Sequence, residues 1–158
     1  MTTSAKALGR LTPDQILELL PQQEPFRFVD RILELDDEHI VATYRFRPEA
    51  DFYRGHFPGN PVTPGVILLE SVAQVGVVAL GIYLFALDHS TEELERTVTL
   101  FVEAEVEYSG VVLPNTEVTI SARKVFWRRN KLRSKATMTR ADGTVVCAAT
   151  ISGLGVPK

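Results

Sequence analysis

The chain has 158 residues, 45% of them hydrophobic and 23% charged, which suits one globular domain over residues 1–158 and excludes a disordered chain. Its net charge of −3 argues against a nucleic-acid-binding surface that spans the whole chain. The single cysteine, Cys147, excludes an intrachain disulfide and is typical of a reducing compartment. Residues 1–10 lack the apolar stretch of a signal peptide, so we expect a loosely held start and a cytoplasmic protein.

A short helix and two strands come first. The segment from Thr12 to Gln15 is a capping box with proline in the first helical position, which predicts a helix over residues 14–20. Two strands are predicted over residues 28–35 and 40–46. The acidic residues 36–38 between them are interpreted as a solvated turn rather than a cation site, with the neighbouring His39 as a surface residue.

A long apolar segment over residues 66–87 contains a single carboxylate, that of Glu70. We expect Thr63 to cap the helix and Pro64 to occupy its first position. The segment is about long enough to span a membrane, but Glu70 and Gln74 interrupt it and its glycines suit close packing. We therefore predict a helix buried on all sides in a globular domain, and no membrane span.

The rest of the chain is predicted as a polar connection followed by four strands. The connection covers residues 88–96 and includes His89, to which we assign no role. The strands cover residues 101–108, 117–127, 131–140 and 144–152, with turns at 114–116, 128–130 and Asp142-Gly143.

Two features of these strands have simple structural explanations. Glutamates alternate with apolar residues over 101–108, which predicts a strand with one wet face and one buried face rather than a metal site. Cys147 lies in the middle of an apolar strand and is predicted to be a small core residue. The succession of elements predicts an α+β fold with an antiparallel sheet wrapped around the long helix.

A distinctive motif precedes and enters the long helix. It reads Gly55-His56-Phe57-Pro58-Gly59, then Pro64-Gly65-Val66, Glu70 and Ala73-Gln74. This motif resembles that of the 3-hydroxyacyl-[acyl-carrier-protein] dehydratases of fatty acid synthesis, the FabZ- and FabA-like enzymes with a hot-dog fold. A weaker similarity extends over residues 18–152.

The resemblance implies an activity. It implies dehydration of 3-hydroxyacyl-[acyl-carrier-protein] to the trans-2-enoyl form, in fatty acid synthesis or in related polyketide or aryl-polyene synthesis. It implies neither a metal nor another cofactor. Within the family the acid is Glu in plain dehydratases and Asp in those that also isomerise the double bond, so Glu70 favours dehydration alone.

The residue types suit that chemistry. Histidine titrates near neutrality, so His56 suits the base that removes a proton from C2. A carboxyl group in apolar surroundings favours its neutral form, so Glu70 suits the acid that protonates the 3-hydroxyl group. The free N–H group of Gly65 suits the thioester oxygen. By resemblance, Gln74 holds the leaving water with Glu70 and the Val62 carbonyl orients His56. The expected substrate-binding residues are Gly65, Val66, Gln74, Phe57 and Val62.

The resemblance also implies partners. It implies an acyl carrier protein and a homodimer, or a higher even oligomer, in which His56 and Glu70 of one site come from opposite subunits. Residues 123–140 contain eight of the 17 lysines and arginines and no acidic residue. This is either a solvated hairpin or a basic strip that docks the acidic carrier protein. The docking candidates are Arg128, Arg129, Lys131 and Arg133.

The chain departs from the family pattern at one segment, and two alternative functions remain open. Residues 22–24 read Gln-Gln-Glu where the family usually has His-Arg-Tyr, which leaves room for an unusual substrate. The alternatives are a hot-dog acyl thioesterase and a non-catalytic subunit that binds acyl chains or carrier protein. The presence of both His56 and Glu70 favours the dehydratase.

Overall fold

A computed structural model describes residues 5–158. Residues 1–4, part of the predicted loose start, lie outside this range. The sheet strands are β1 (Arg31–Leu35), β2 (His39–Arg45), β3 (Thr97–Tyr108), β4 (Glu117–Arg128), β5 (Lys131–Arg140) and β6 (Val145–Pro157). They form one antiparallel sheet in the order β1-β2-β4-β5-β6-β3. The sheet packs around one long helix, so the predicted hot-dog α+β fold is confirmed.

The central helix runs from Gly65 to Asp88. By length and composition it could cross a membrane, but 72% of its most apolar window is buried inside the protein. Every residue from Ser71 to Ala86 is buried, as predicted. The prediction of burial on all sides is wrong for the first turns, because Val66 is 71% exposed and Glu70 is only partly covered.

The start of the central helix differs from the expected cap. Pro64 is the N-cap residue and, within residues 5–158, no side chain caps the helix, so the predicted Thr63 cap is wrong. The physical reason is that the buried Thr63 hydroxyl group is already paired with the Tyr53 hydroxyl group at 2.6 Å. The Thr63 N–H group donates to the Val112 carbonyl oxygen at 2.9 Å, which anchors the helix entrance to the neighbouring loop.

The central helix consists of two α-helical parts separated by a wider, π-helical turn. Helix α2 (Gly65–Ala73) is followed by a π-helical segment (Gln74–Ala79) and then by α3 (Leu80–Asp88). A Cβ atom on Gly76 would lie 3.0 Å from the Ala122 Cβ atom, so the helix approaches β4 closely there. The Ser134 hydroxyl group donates to the Gly76 carbonyl oxygen at 2.7 Å. The wide turn is thus held against the sheet by a buried hydrogen bond.

Two other helices flank the core. Helix α1 (Pro13–Leu19) begins with the predicted capping box, since the side chains of Thr12 and Gln15 bond reciprocally to the backbone. The polar connection predicted over residues 88–96 contains a further helix, α4 (Thr91–Glu95). A second capping box starts it, formed by Ser90 and Glu93. Its serine and glutamate spacing is a sequence signal for that helix.

Strands β1 and β3 differ from their predictions. Strand β1 begins at Arg31 rather than Phe28, because the Phe28 backbone bonds to side chains of the central helix instead of to a strand. Strand β3 is longer than predicted, and its expected buried face is largely open, with Val102 48% exposed. The reason is its place at the edge of the sheet, where only β6 pairs with it. Strand β6 also extends past its predicted end at Ser152 to Pro157.

Several turn and core predictions are confirmed. Asn115 adopts the left-handed conformation with φ of 64°. Two left-handed residues, Arg129 and Asn130, join β4 to β5, as type I′ hairpins require. The Asp142-Gly143 turn joins β5 to β6. Cys147 is fully buried, and its burial raises the pKa of the thiol to about 11.

The acidic turn between β1 and β2 is ordered by its own hydrogen bonds. The Asp36 carboxylate accepts the N–H groups of Glu38 and His39, which lowers its pKa. The ring of His39 lies between Glu34 and Asp36, and its hydrogen bond to Glu34 raises the histidine pKa. Across residues 5–158, no group of three histidine, cysteine or acidic side chains is arranged to hold a metal.

Candidate active site

His56 lies in the loop that precedes the central helix, and its ring is held in one orientation. The Nδ1 atom is 2.8 Å from the Val62 carbonyl oxygen. Because a carbonyl oxygen can only accept, Nδ1 carries a proton in this contact, and in the neutral ring Nε2 presents the lone pair. The half-exposed ring of Phe57 stacks on the imidazole, with 4.1 Å between the ring centroids. The histidine is thus oriented with its basic nitrogen available.

The first N–H groups of the central helix form the second part of the site. Within residues 5–158, the backbone N–H groups of Gly65 and Val66 have no hydrogen-bond acceptor, as expected at the start of an uncapped helix. The positive end of the helix dipole lies at the same place. A Cβ atom on residue 65 would lie 3.1 Å from the Tyr108 ring, so glycine lets that ring cover the helix start. This end of the helix can stabilise negative charge on an oxygen.

Glu70 and Gln74 form the third part of the site. The Gln74 amide nitrogen donates to the Glu70 Oε1 atom at 3.0 Å and to the Phe26 carbonyl oxygen at 2.9 Å. The Gln74 amide oxygen accepts the Phe28 N–H group at 2.7 Å. The Gln74 side chain is fully buried, and both amide hydrogens are in use. Gln74 therefore fixes Glu70 to the segment before β1.

The segment that departs from the family pattern lies next to these bonds. Arg27 donates to the carbonyl oxygens of Leu17, Leu20 and Gln22, which fastens the segment to the end of α1. The Gln23 side chain also donates to the Leu20 carbonyl oxygen at 3.0 Å. Through Phe26 and Phe28 this segment reaches Gln74, and through Gln74 it reaches Glu70. Sequence analysis missed this connection, because it joins residues more than 40 positions apart.

His56 and Glu70 take part in separate hydrogen-bond networks within the chain. His56 is bonded to Val62, and Glu70 is bonded to Gln74. In the part of the chain that the structure describes, no hydrogen bond links His56 to Glu70. The two groups belong to separate clusters, one in the loop before the helix and one in its second turn.

The predicted docking residues lie on the hairpin formed by β4 and β5. Arg128 and Arg133 stand over the Phe126 ring, with guanidinium carbons 5.1 and 5.6 Å from its centroid. Arg133 also pairs with Glu103 on β3. Within residues 5–158, Arg128, Arg129 and Lys131 form no salt bridge. Positive charge without an ion-pair partner is therefore present at the tip of the hairpin.

The fold and the site together define a class of protein: a hot-dog domain with an oriented histidine and free amides at the start of its central helix. The family model described as FabA-like domain matches residues 20–150. The chain belongs to the FabA-like family.

Relatives in this family share most of their length with the chain. It is 34% identical over 139 residues to the 3-hydroxyacyl-[acyl-carrier-protein] dehydratase FabZ of Erwinia tasmaniensis, a match that covers 87% of this chain and 88% of that protein. It is 33% identical over 151 residues to the dehydratase of the same name from Bacillus pumilus, covering 94% of this chain and 98% of that one.

Solved structures share the fold at low sequence identity. The dehydratase heterocomplex ApeI:P from Xenorhabdus doucetiae superposes with a TM-score of 0.70 at 14% identity, covering 94% of each chain. A thioesterase from Haemophilus influenzae superposes with a TM-score of 0.66 at 12% identity, covering 96% of this chain and 94% of that one. These similarities show the fold alone.

The bonds made by Gln74 predict a large effect on stability. Replacing Gln74 with Leu leaves the Phe28 N–H group and the Phe26 carbonyl group without their side-chain partner. Because each buried polar group left unpaired costs about 1–3 kcal/mol, we expect the free energy of unfolding to fall by roughly 2–6 kcal/mol. Urea unfolding followed by circular dichroism measures the change.

Ser71→Ala is the matched control for this prediction. It leaves one group unpaired, the Phe28 carbonyl, where Gln74→Leu leaves two, so it should lower the free energy of unfolding by about 1–3 kcal/mol, half the effect expected of Gln74→Leu. A Gln74→Leu variant that unfolds at the same urea concentration as Ser71→Ala would contradict the expected difference.

Proposed function

We propose that the chain dehydrates 3-hydroxyacyl-[acyl-carrier-protein] to trans-2-enoyl-[acyl-carrier-protein]. The observation that carries this proposal is the fixed orientation of His56, whose Nδ1 proton is held by the Val62 carbonyl group and whose Nε2 atom is free to take a proton. The names of the two relatives, both dehydratases, support the same reaction. A single buried cysteine and a core helix enclosed by the sheet support a globular protein of the cytoplasm.

The reaction uses the three parts of the site one after another. The Nε2 atom of His56 removes a proton from C2 of the substrate. The N–H groups of Gly65 and Val66 stabilise the negative charge that develops on the thioester oxygen. The C3–O bond breaks, a double bond forms between C2 and C3, and Glu70 gives its proton to the departing oxygen, which leaves as water.

Gln74 has a positioning role in this scheme. Because its two amide hydrogens go to Glu70 and Phe26, the described contacts leave it no free donor for the departing water. It holds the Glu70 Oε1 atom as an acceptor, which leaves Oε2 as the oxygen that carries the proton toward the substrate. This differs from the expectation that Gln74 itself holds the water.

We further propose that the site forms between two copies of the chain. Strand β3 is a free edge of 12 residues, and free edges invite pairing with another strand. Exposed apolar side chains lie along it and around the helix start, as at protein interfaces: Leu100, Phe101, Val102, Tyr108, Val111, Leu113, Phe57 and Val66. A twofold dimer would cover this surface on both copies. It would also bring His56 of one copy near Glu70 of the other.

The carrier protein is proposed to approach the β4–β5 hairpin. An acyl carrier protein is acidic, and uncompensated positive charge at Arg128, Arg129 and Lys131 would speed the encounter. Arg133 contributes less, because Glu103 already pairs with it. The role of this surface is therefore to guide the substrate, while the chemistry stays with His56 and Glu70.

The products of the reaction test the proposed function. Incubated with 3-hydroxyacyl-carrier-protein, the wild-type chain is expected to form the trans-2-enoyl product and little free acid, as mass spectrometry would show. His56→Ala and Glu70→Gln should each lose at least about 100-fold in rate, because each removes a proton-transfer group. Circular dichroism shows whether the variants are folded. Rapid release of free thiol without an enoyl product would instead identify a thioesterase, and binding without turnover would identify a non-catalytic subunit.

Mixing the two inactive variants tests the shared site. In a hybrid dimer of His56→Ala and Glu70→Gln, one site has lost both groups and the other has kept both. After full subunit exchange, the mixture should recover about a quarter of wild-type activity, since half of the dimers carry one intact site of two. No recovery despite subunit exchange, measured by native mass spectrometry, would place His56 and Glu70 of a site in the same chain.

Charge reversal at the hairpin tip tests the docking surface. The double variant Arg128→Glu and Arg129→Glu should turn over carrier-protein substrates more slowly, with the largest loss at low salt, because charge steering is screened by ions. Short soluble thioester analogues should react at the wild-type rate. The control is Arg31→Glu on the edge strand β1, which should affect neither substrate. An equal loss on both substrate types would show that the hairpin supports the fold or the site instead.

A further inference from the structure

The aromatic ring of Tyr108, the last residue of β3, stands against the first residue of the central helix. Its Cζ, Cε1 and Cε2 atoms lie 3.1, 3.2 and 3.4 Å from the place where a Cβ atom on Gly65 would be. Cζ is the carbon that carries the hydroxyl group, and the other two atoms are its neighbours in the ring. The hydroxyl end of the tyrosine is therefore the part that meets the helix.

The geometry of the helix gives the direction of this contact. In an α-helix every Cα–Cβ bond tilts toward the N-terminus, and the first N–H groups point out of the same end. A ring placed where the Gly65 Cβ atom would be thus lies on the side from which the N–H groups of Gly65 and Val66 emerge. Within residues 5–158, neither of these N–H groups has an acceptor. The Tyr108 hydroxyl group and two free N–H groups are therefore neighbours.

The hydroxyl group of Tyr108 is not used by the fold. Tyr53 and Tyr83 both engage their hydroxyl groups in hydrogen bonds to other side chains. In the part of the chain that the structure describes, the Tyr108 hydroxyl group has no such partner, and the residue is 44% exposed, so a bound molecule can reach it. Partial burial raises the pKa of this hydroxyl group above its ordinary value, so the group keeps its proton at neutral pH. It can therefore donate one hydrogen bond.

The backbone holds the ring and the helix start in fixed relation. After Tyr108, the Ser109 N–H group donates to the Val146 carbonyl oxygen on β6 at 3.0 Å. Before the helix, the Thr63 N–H group donates to the Val112 carbonyl oxygen at 2.9 Å. The loop that follows β3 is thus bonded to the sheet at one end and to the helix entrance at the other. A donor held in place in advance is the most effective kind toward a charge that develops during a reaction.

We propose that the Tyr108 hydroxyl group is a third hydrogen-bond donor to the thioester oxygen, beside the N–H groups of Gly65 and Val66. The inference rests on the proposed function and adds a catalytic residue to it, because the hydroxyl group touches the oxygen on which negative charge develops. Tyr108 keeps its proton throughout, while the C2 proton goes to His56. Because the charge on the oxygen grows toward the transition state, the hydrogen bond strengthens there.

Two matched ligands test this donor without any turnover. Hexanoyl-pantetheine carries the thioester oxygen, and the hexyl-pantetheine thioether has a methylene group in place of the carbonyl group. Measured by calorimetry, the wild type should bind the thioester more tightly than the thioether. Tyr108→Phe should weaken thioester binding about fivefold, the net value of one hydrogen bond, and change thioether binding by less than about twofold.

Tyr83→Phe is the matched control for the ligand pair. It also removes one tyrosine hydroxyl group, but from a position about 27 Å along the central helix from Gly65. Its hydroxyl group donates to Asp37 at the other end of the helix. The variant should therefore keep the wild-type preference for the thioester.

Dehydration kinetics separate a hydrogen bond from simple packing. Tyr108→Phe keeps the ring that covers Gly65, yet we expect its kcat/KM to fall at least about 20-fold, more than its affinity for the thioester. Tyr108→Leu removes the ring as well and should lose at least as much. If the ring only covered the helix start, Tyr108→Phe would react like the wild type and Tyr108→Leu alone would be impaired, which would overturn the donor assignment.

The two sets of measurements distinguish this inference from the proposed function. If the wild type dehydrates no substrate, but prefers the thioester and loses that preference in Tyr108→Phe, the function fails and the donor assignment stands. A wild type that binds the two ligands equally, or binds neither, overturns the donor assignment whether or not it dehydrates its substrates. A folded Tyr108→Phe variant that keeps the full preference for the thioester also overturns it.

Discussion

The rest of the structure depends on the burial of the central helix inside the curved sheet. Burial removes sixteen consecutive residues, Ser71 to Ala86, from solvent, and apolar burial is the main force that stabilises a domain of this size. The same burial forces every polar group on the helix to find a partner. Ser71, Gln74 and the Gly76 carbonyl group all find theirs in neighbouring backbone or side chains. These hydrogen bonds fix the rotation of the helix about its own axis, while apolar burial fixes its position against the sheet.

This fixed rotation decides what the open end of the helix can do. Because Gln74 makes three hydrogen bonds, Glu70 one turn earlier cannot turn away without breaking one of them, the partly buried bond to the Gln74 amide. Because Pro64 caps the helix without a side-chain acceptor, the N–H groups of Gly65 and Val66 stay available. The buried half of the helix thus holds in place the Glu70 carboxyl group and the free N–H groups of its exposed half, as the proposed reaction requires.

The sequence was sufficient where local rules decide the structure. The capping box at Thr12, the Asp142-Gly143 turn and the single long helix all follow from short-range patterns. The sequence was insufficient where contacts between residues far apart in the chain decide the structure. The Thr63 hydroxyl group bonds to Tyr53 instead of capping the helix. The π-helical segment that begins at Gln74 is bonded through the Gly76 carbonyl group to Ser134 on β5. For the site, the motif pointed to His56 and Glu70, but it gave no sign that Gln74 ties Glu70 to the backbone of Phe26 and Phe28.

Two exposed parts of the chain, the edge strand and the start of the central helix, lie next to each other, and both belong to the surface of the proposed dimer. Tyr108, at the end of the open edge strand β3, covers Gly65 at the start of the central helix. The exposed edge and the exposed helix start therefore adjoin each other. A partner seated on that edge would exclude water from the free amides, where lower polarity strengthens their hold on a negative oxygen. The second half of the helix is buried by its own chain, and the first half would then be buried by the partner chain.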